Sequence, residues 1–129
     1  MAKKPGEIER YNKNDFIVKD SGNRTEFPTG AVRDIDDTKP RYDLITPQSL
    51  KRVADLYRDG AKKYGEHNWE KGIPLSRCYA SLLRHAYAWA IGKRDEDHMA
   101  AVVWNALAIL HFEETGREDL KDMLAYDKE

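Results

Sequence analysis

The sequence predicts an all-α fold of three to four helices, preceded by an irregular N-terminal arm with room for a short β-hairpin. Three observations predict it. Apolar residues recur at helical spacing in several stretches after Thr46, whereas Gly, Pro, Asp and Asn crowd the polar first 46 residues. Two of the helical stretches are joined by Gly92-Lys93-Arg94-Asp95, short enough to fold one back on the other. On the facing stripes of that hairpin stand two histidines, His85 and His98.

The elements follow in order. In the arm, residues 1–46, Phe16-Ile17-Val18 reads as a strand, and the turn signal Asp20-Ser21-Gly22-Asn23 would return a second strand through Thr25 to Phe27. The helical domain spans 47–129. Its first helix opens at Thr46-Pro47, a capping hydroxyl followed by proline where no amide is needed, and presents Leu50, Val53, Ala54, Tyr57, Ala61 and Tyr64. Gly65 would close it, and Gly60 is a candidate kink. A second helix runs from about Leu75 to Ile91 with Leu75, Cys78, Tyr79, Leu82, Ala86 and Trp89 on its stripe. In the third, capped by Asp95 with Glu96 and Asp97 in its first turn, His98, Ala101, Val102, Asn105, Ala108, Ile109 and Phe112 share a face. Leu120, Met123 and Leu124 suggest a short last helix.

Composition excludes several classes. The chain has 129 residues and a formal charge of −1, so no global field draws it to nucleic acid or to an anionic membrane. No apolar run approaches the roughly 20 residues that span a bilayer, and the N-terminus lacks a signal-peptide stretch, so a cytoplasmic protein is expected. The single cysteine, Cys78, reads as a small core residue. Walker A, Gly-x-Gly-x-x-Gly and Gly-x-Ser-x-Gly motifs are absent, and Asp97-His98 reverses the His-Asp order of metal phosphohydrolases.

Chemistry concentrates in the hairpin. At roughly 1.5 Å of rise per residue, both histidines lie about 10 Å from the fold-back and so at similar heights. Polar rings on an apolar stripe need partners, since burying them unpaired costs a few kcal/mol. Two readings stand: the rings bond neighbouring backbone or acids and finish a core, or His85 and His98 join Asp95, Glu96 and Asp97 as ligands of a divalent metal. Imidazole in the set suits Mn, Co, Fe or Zn better than Mg. The acids alone are also explained by capping. Asn105, a buried amide with several hydrogen-bonding positions to fill, either orients His98 or reads a bound base. Arg33, Lys39, Arg41, Lys62, Lys63, Lys93 and Arg94 could clamp phosphates, or simply be solvated charges. Tyr64 and Trp69 could stack on a base, or either could lid the hairpin, while His67 and His111 show no companions.

A series of motifs then resembles the phage-borne dATP/dGTP diphosphohydrolase family: Asp20 to Phe27, Gly30-Ala31-Val32-Arg33-Asp34, Lys39-Pro40-Arg41-Tyr42-Asp43-Leu44, Gly60-Ala61-Lys62-Lys63-Tyr64-Gly65, Asn68-Trp69-Glu70-Lys71-Gly72, Arg84-His85, and Asp95 to His98 through Trp104-Asn105. That family is similar to the all-α, MazG-like nucleoside triphosphate pyrophosphohydrolases. The resemblance implies cleavage of a deoxypurine triphosphate to the monophosphate and pyrophosphate, in the host cytoplasm of a phage that replaces adenine by 2-aminoadenine. For that reaction the expected catalytic residues are His85, His98 and Asp97, with Arg33, Arg41, Lys62, Lys63 and Arg84 on the phosphates and Tyr64, Asn68, Trp69 and Asn105 on the rest of the substrate. The cofactor would be a divalent metal, Mg, Mn or Co. The chain departs from the MazG-like pattern, where glutamates and aspartate on two helices hold Mg; here Arg84-His85-Ala86-Tyr87-Ala88, and His98 with Ala101, occupy those places.

Two other outcomes are kept open. One is a non-enzymatic phage accessory protein whose aromatic helices, with Tyr79, Tyr87, Trp89 and Trp104, form an oligomerisation surface; the other is a triphosphohydrolase releasing tripolyphosphate. The apolar back face of such a hairpin predicts a homodimer or homotetramer in either case.

Overall fold

The computed structural model describes residues 18–35 and 38–126. They fall into two compact units divided at Thr46, each described here by itself.

In the first unit, β1 (Arg24–Glu26) pairs antiparallel with β2 (Val32–Asp34), Thr25 opposite Arg33. A single 3-10 turn follows at Tyr42–Leu44. The hairpin is not the one the turn signals suggested. Its reversal is Phe27 to Gly30, where Gly30 takes φ of 89° and donates its amide to the Phe27 carbonyl. Residues 20–23 make a local turn instead, with the Gly22 amide on Asp20 and the Ser21 hydroxyl and amide on Asp34. Side-chain acceptors win there because Asp20 and Asp34 satisfy those donors without a strand partner. Of the expected strand at 16–18, Val18 is outside any strand and the rest lies outside the described residues.

The second unit holds α1 (Pro47–Tyr64), α2 (Leu75–Ala90) and α3 (His98–Glu114), with single 3-10 turns at Asn68–Lys71, Glu118–Leu120 and Leu124–Tyr126. The fold is mostly α, as expected. Thr46 caps α1 by accepting from the Ser49 amide, Gly65 ends it at φ of 94°, and the helix runs unbroken through Gly60. α2 starts after Pro74 with no cap of its own; Asp122, far along the chain, accepts from the Ser76 amide and hydroxyl instead.

α2 packs chiefly on α3, and α1 lies more lightly against α3. The core gathers at the hairpin's open end around Leu75, Cys78, Ala108, Phe112 and Leu120, with Trp69, Ile73, Trp104 and Met123 packed on it. Cys78 is a buried core residue, and burial pushes its thiol up from its ordinary range. Several stripe residues prove exposed: Leu50 and Tyr64 on α1, Tyr79 and Trp89 on α2. Each helix meets only one or two neighbours, so the buried stripe is narrower than its apolar pattern. No helix among the described residues is long and apolar enough to cross a membrane.

Candidate active site

The hairpin closes as its spacing predicts. His85, late in α2, and His98, the first residue of α3, approach with Nδ1 atoms 2.9 Å apart and ring centroids 5.1 Å apart. On its far side, His98 Nε2 lies 2.8 Å from Asp95 Oδ1. A hydrogen bond between two Nδ1 atoms needs a proton on one and a lone pair on the other, so the rings cannot both be protonated there. His98 is only 6% exposed, yet both its nitrogens are engaged. The bond from His98 holds the Asp95 carboxyl below its ordinary range.

Three consecutive acids precede α3, and the structure gives Asp95 and Asp97 different tasks. The expected cap, Asp95, bonds His98; the true cap is Asp97, which accepts from the Ala100 amide. Asp97 also receives the Arg52 guanidinium in a fork, at 2.8 and 2.6 Å, tying α1 to the start of α3. The Arg52 bonds, with help from the Ala100 amide, lower the Asp97 pKa from 3.8 to about 2. With its oxygens committed in this way, Asp97 does not join the metal-sized cluster. That cluster is Asp95, Glu96 and His98, whose potential ligand atoms lie within 4.8 Å of one another.

A cleft of about 1320 Å³ runs beside α1 and the hairpin. Lys62, Lys63, Tyr64, Asn68, Trp69, His85, Glu96, Asp97 and Asn105, all expected site residues, line it. A smaller hollow next to it shares Arg52, Glu96 and Asp97 and adds Asp95 and His98. The cluster that can hold a metal therefore borders both.

Other expected residues fall elsewhere. Arg84 is exposed on α2 and does not line the cleft. Arg33, on β2, and Arg41, which forks onto Asp43, belong to the first unit. Trp69 is half-buried; it packs edge-on against Tyr57, Trp104 and Phe112 and also lines the cleft. His111 does have a companion, the Trp69 ring 4.8 Å away, and His67 sits 3.2 Å from Glu70 at a left-handed φ of 61°.

Two participants were missed. Arg52 carries no local signal, since its partner is 45 residues away. Ser81 had one: a hydroxyl within the apolar run of α2, of the same kind that singled out Asn105, whose amide nitrogen it accepts at 3.2 Å.

A family model described as dATP/dGTP diphosphohydrolase, N-terminal, matches residues 29–122. No curated protein and no solved structure matches the chain. The family match takes in all three helices, the histidine pair and the cleft, and it covers well over half of the sequence; the chain belongs to the dATP/dGTP diphosphohydrolase N-terminal family.

Proposed function

We propose that this protein hydrolyses dATP and dGTP to the monophosphate and pyrophosphate in a metal-dependent reaction. The observation that carries the reading is the continuous chain Asp95–His98–His85, whose last ring borders a cleft also lined by Lys62 and Lys63. In the reaction, water adds to the α-phosphorus, the bond to the bridging oxygen breaks, and pyrophosphate leaves with that electron pair.

Asp95, Glu96 and His98 would hold the metal: one imidazole and two carboxylates, a donor set that favours Mn, Co, Fe or Zn over Mg. When bound, such an ion polarises phosphoryl oxygens and lowers the pKa of a coordinated water. As the rings stand, His98 donates Nε2–H to Asp95 and so accepts from His85 at Nδ1. Holding a metal would require the other tautomer: His98 would offer Nε2 as a lone pair and donate from Nδ1 to His85, whose Nε2–H would then be a donor toward a phosphate oxygen. Arg52 and Asp97 fix the start of α3 and with it the neighbouring Glu96. Lys62, without an ion pair among the described residues, and Lys63 offset triphosphate charge. A homo-oligomer is part of this proposal, supported by the exposed apolar side chains Tyr79, Tyr87, Ile91 and Leu110.

Product analysis with Mn, Co or Mg tests it. Monophosphate and pyrophosphate are expected, with heavy oxygen from labelled water appearing in the monophosphate. Tripolyphosphate would overturn the reading in favour of a triphosphohydrolase, and absence of turnover with any of the three metals would overturn it outright. His85→Ala should lower kcat by about a hundredfold or more while circular dichroism stays unchanged. A folded His85→Ala, His98→Ala double variant working at the parent rate would remove the histidines from the mechanism.

A further inference from the structure

Asn105 is 6% exposed in the middle of α3, and its hydrogen bonds fix which way the amide points. Its Nδ2 lies 2.8 Å from the Ala101 carbonyl and 3.2 Å from the Ser81 hydroxyl. A backbone carbonyl only accepts, so the atom facing it must be the nitrogen. The amide oxygen, Oδ1, is left with no hydrogen bond among the described residues. Ser81 spends a lone pair on Asn105 and makes no other bond among the described residues, so its own proton stays free to be donated.

Both residues line the cleft, and no fully buried side-chain nitrogen or oxygen among the described residues lacks a partner, so Oδ1 is open to what enters there. The same cleft is lined by Tyr57, Trp69 and Trp104, whose ring centroids stand 5.9 to 6.1 Å apart in edge-on and tilted arrangements. A fixed acceptor next to a free donor, beside aromatic rings, suits a flat ligand that presents one donor and one acceptor along an edge. Nucleobases are such ligands.

We propose that Ser81 and Asn105 read the base of the nucleotide: Asn105 Oδ1 accepts from a ring N–H or exocyclic amine, and the Ser81 hydroxyl donates to the adjacent ring nitrogen or carbonyl. This rests on the cleft being a deoxynucleotide site. On adenine the pair meets the amine and the neighbouring ring nitrogen; on guanine it meets the ring N–H and the carbonyl. The fit is to an edge pattern that the two purines share in reversed order.

The test compares dATP, dGTP and purine deoxyriboside triphosphate, which lacks the exocyclic amine. For the parent protein, kcat/KM for dATP should exceed that for the purine analogue by about tenfold, the worth of one satisfied hydrogen bond at the upper end. In Asn105→Ala that ratio should collapse toward one through a rise in KM for dATP. An equal loss on all three substrates would make Asn105 a structural pin and overturn the proposal, as would an unchanged ratio. If Asn105→Ala does not fold, Ser81→Ala serves: it should lose its preference for dATP over the analogue with carbon in place of the ring nitrogen beside the amine. A retained preference in that variant overturns the proposal. Binding of α,β-methylene dATP and its purine counterpart, followed by tryptophan fluorescence, separates the two readings. Base selectivity that depends on Asn105 without any hydrolysis sinks the catalytic assignment and keeps this one; hydrolysis with Asn105-independent selectivity does the reverse.

Discussion

Asp97 supports both a helix end and an interhelical ion pair, and substitution can separate the two. Asparagine is as good a helix cap as aspartate, so Asp97→Asn removes only the charge that Arg52 grips; that exposed pair is worth little, and a loss below about 1 kcal/mol is expected. Asp97→Ala also removes the cap and should cost roughly 1 kcal/mol more by urea denaturation. The pH dependence has a definite sign. The carboxyl titrates at about 2 in the folded chain against an ordinary 3.8, so its contribution is present above that ordinary value and is lost as pH falls toward 2. The stability gap between parent and Asp97→Asn should therefore close across that window; a gap that widens on acidification would show that Arg52 does not hold the charge. These details were not legible in the sequence. Three adjacent acids at a helix start are equivalent by dipole arguments; Asp97 is set apart from Asp95 by the Ala100 amide and by Arg52, brought in from α1, while Asp95 turns to His98. The histidine pair was legible because its geometry is local: a short turn and helical spacing suffice to place two rings at one height.

The same contrast between local and distant causes runs through the elements. The start and end of α1 could be read from Thr46, Pro47 and Gly65, each acting on its own turn. The start of α2 could be placed at Leu75 from its apolar stripe, but not what caps it, because Asp122 does the capping from 46 residues away, with the Ser76 bonds lowering the Asp122 carboxyl. The hairpin of the first unit was misplaced because two turn signals competed and side-chain bonds captured the first. The loop before α2 is held in another long-range way. Arg117 donates to the carbonyls of Glu70 and Lys71 and forks onto Asp119. Its guanidinium lies so close over Gly72 that a Cβ there would meet Nη2 at 2.4 Å, and Gly72 has φ of 125°. Gly72→Ala must strain the backbone and displace the arginine together, for an expected loss of about 2 to 3 kcal/mol in denaturant midpoint experiments. A neutral substitution would mean that the loop is free to rearrange.

At the scale of the whole second unit, packing and chemistry occupy opposite ends of the hairpin. Phe112, Leu75 and Cys78 are sealed at the open end, while His85, His98 and the acids cluster where the chain turns. The helical class was legible because three periodic stretches each carried a recognisable boundary. The division of labour was not, since apolar spacing marks a stripe without showing which part of it meets a neighbour. The stripe of α2 runs its whole length, yet only Leu75 and Cys78 are fully buried.

The histidine contact links positions 13 apart, whereas the Arg52–Asp97 bond links positions 45 apart. A short loop closes at little entropic expense, so the proposed metal half of the site is a property of the α2–α3 hairpin, and the cleft wall comes from α1. Rising urea should accordingly release α1 first, its amides exchanging with solvent while those of α2 and α3 stay protected. In that interval Mn or Co binding at the proposed cluster should persist after triphosphate binding has gone, because Lys62 and Lys63 leave with α1, so that the proposed ion position would outlast the wall that faces the phosphates.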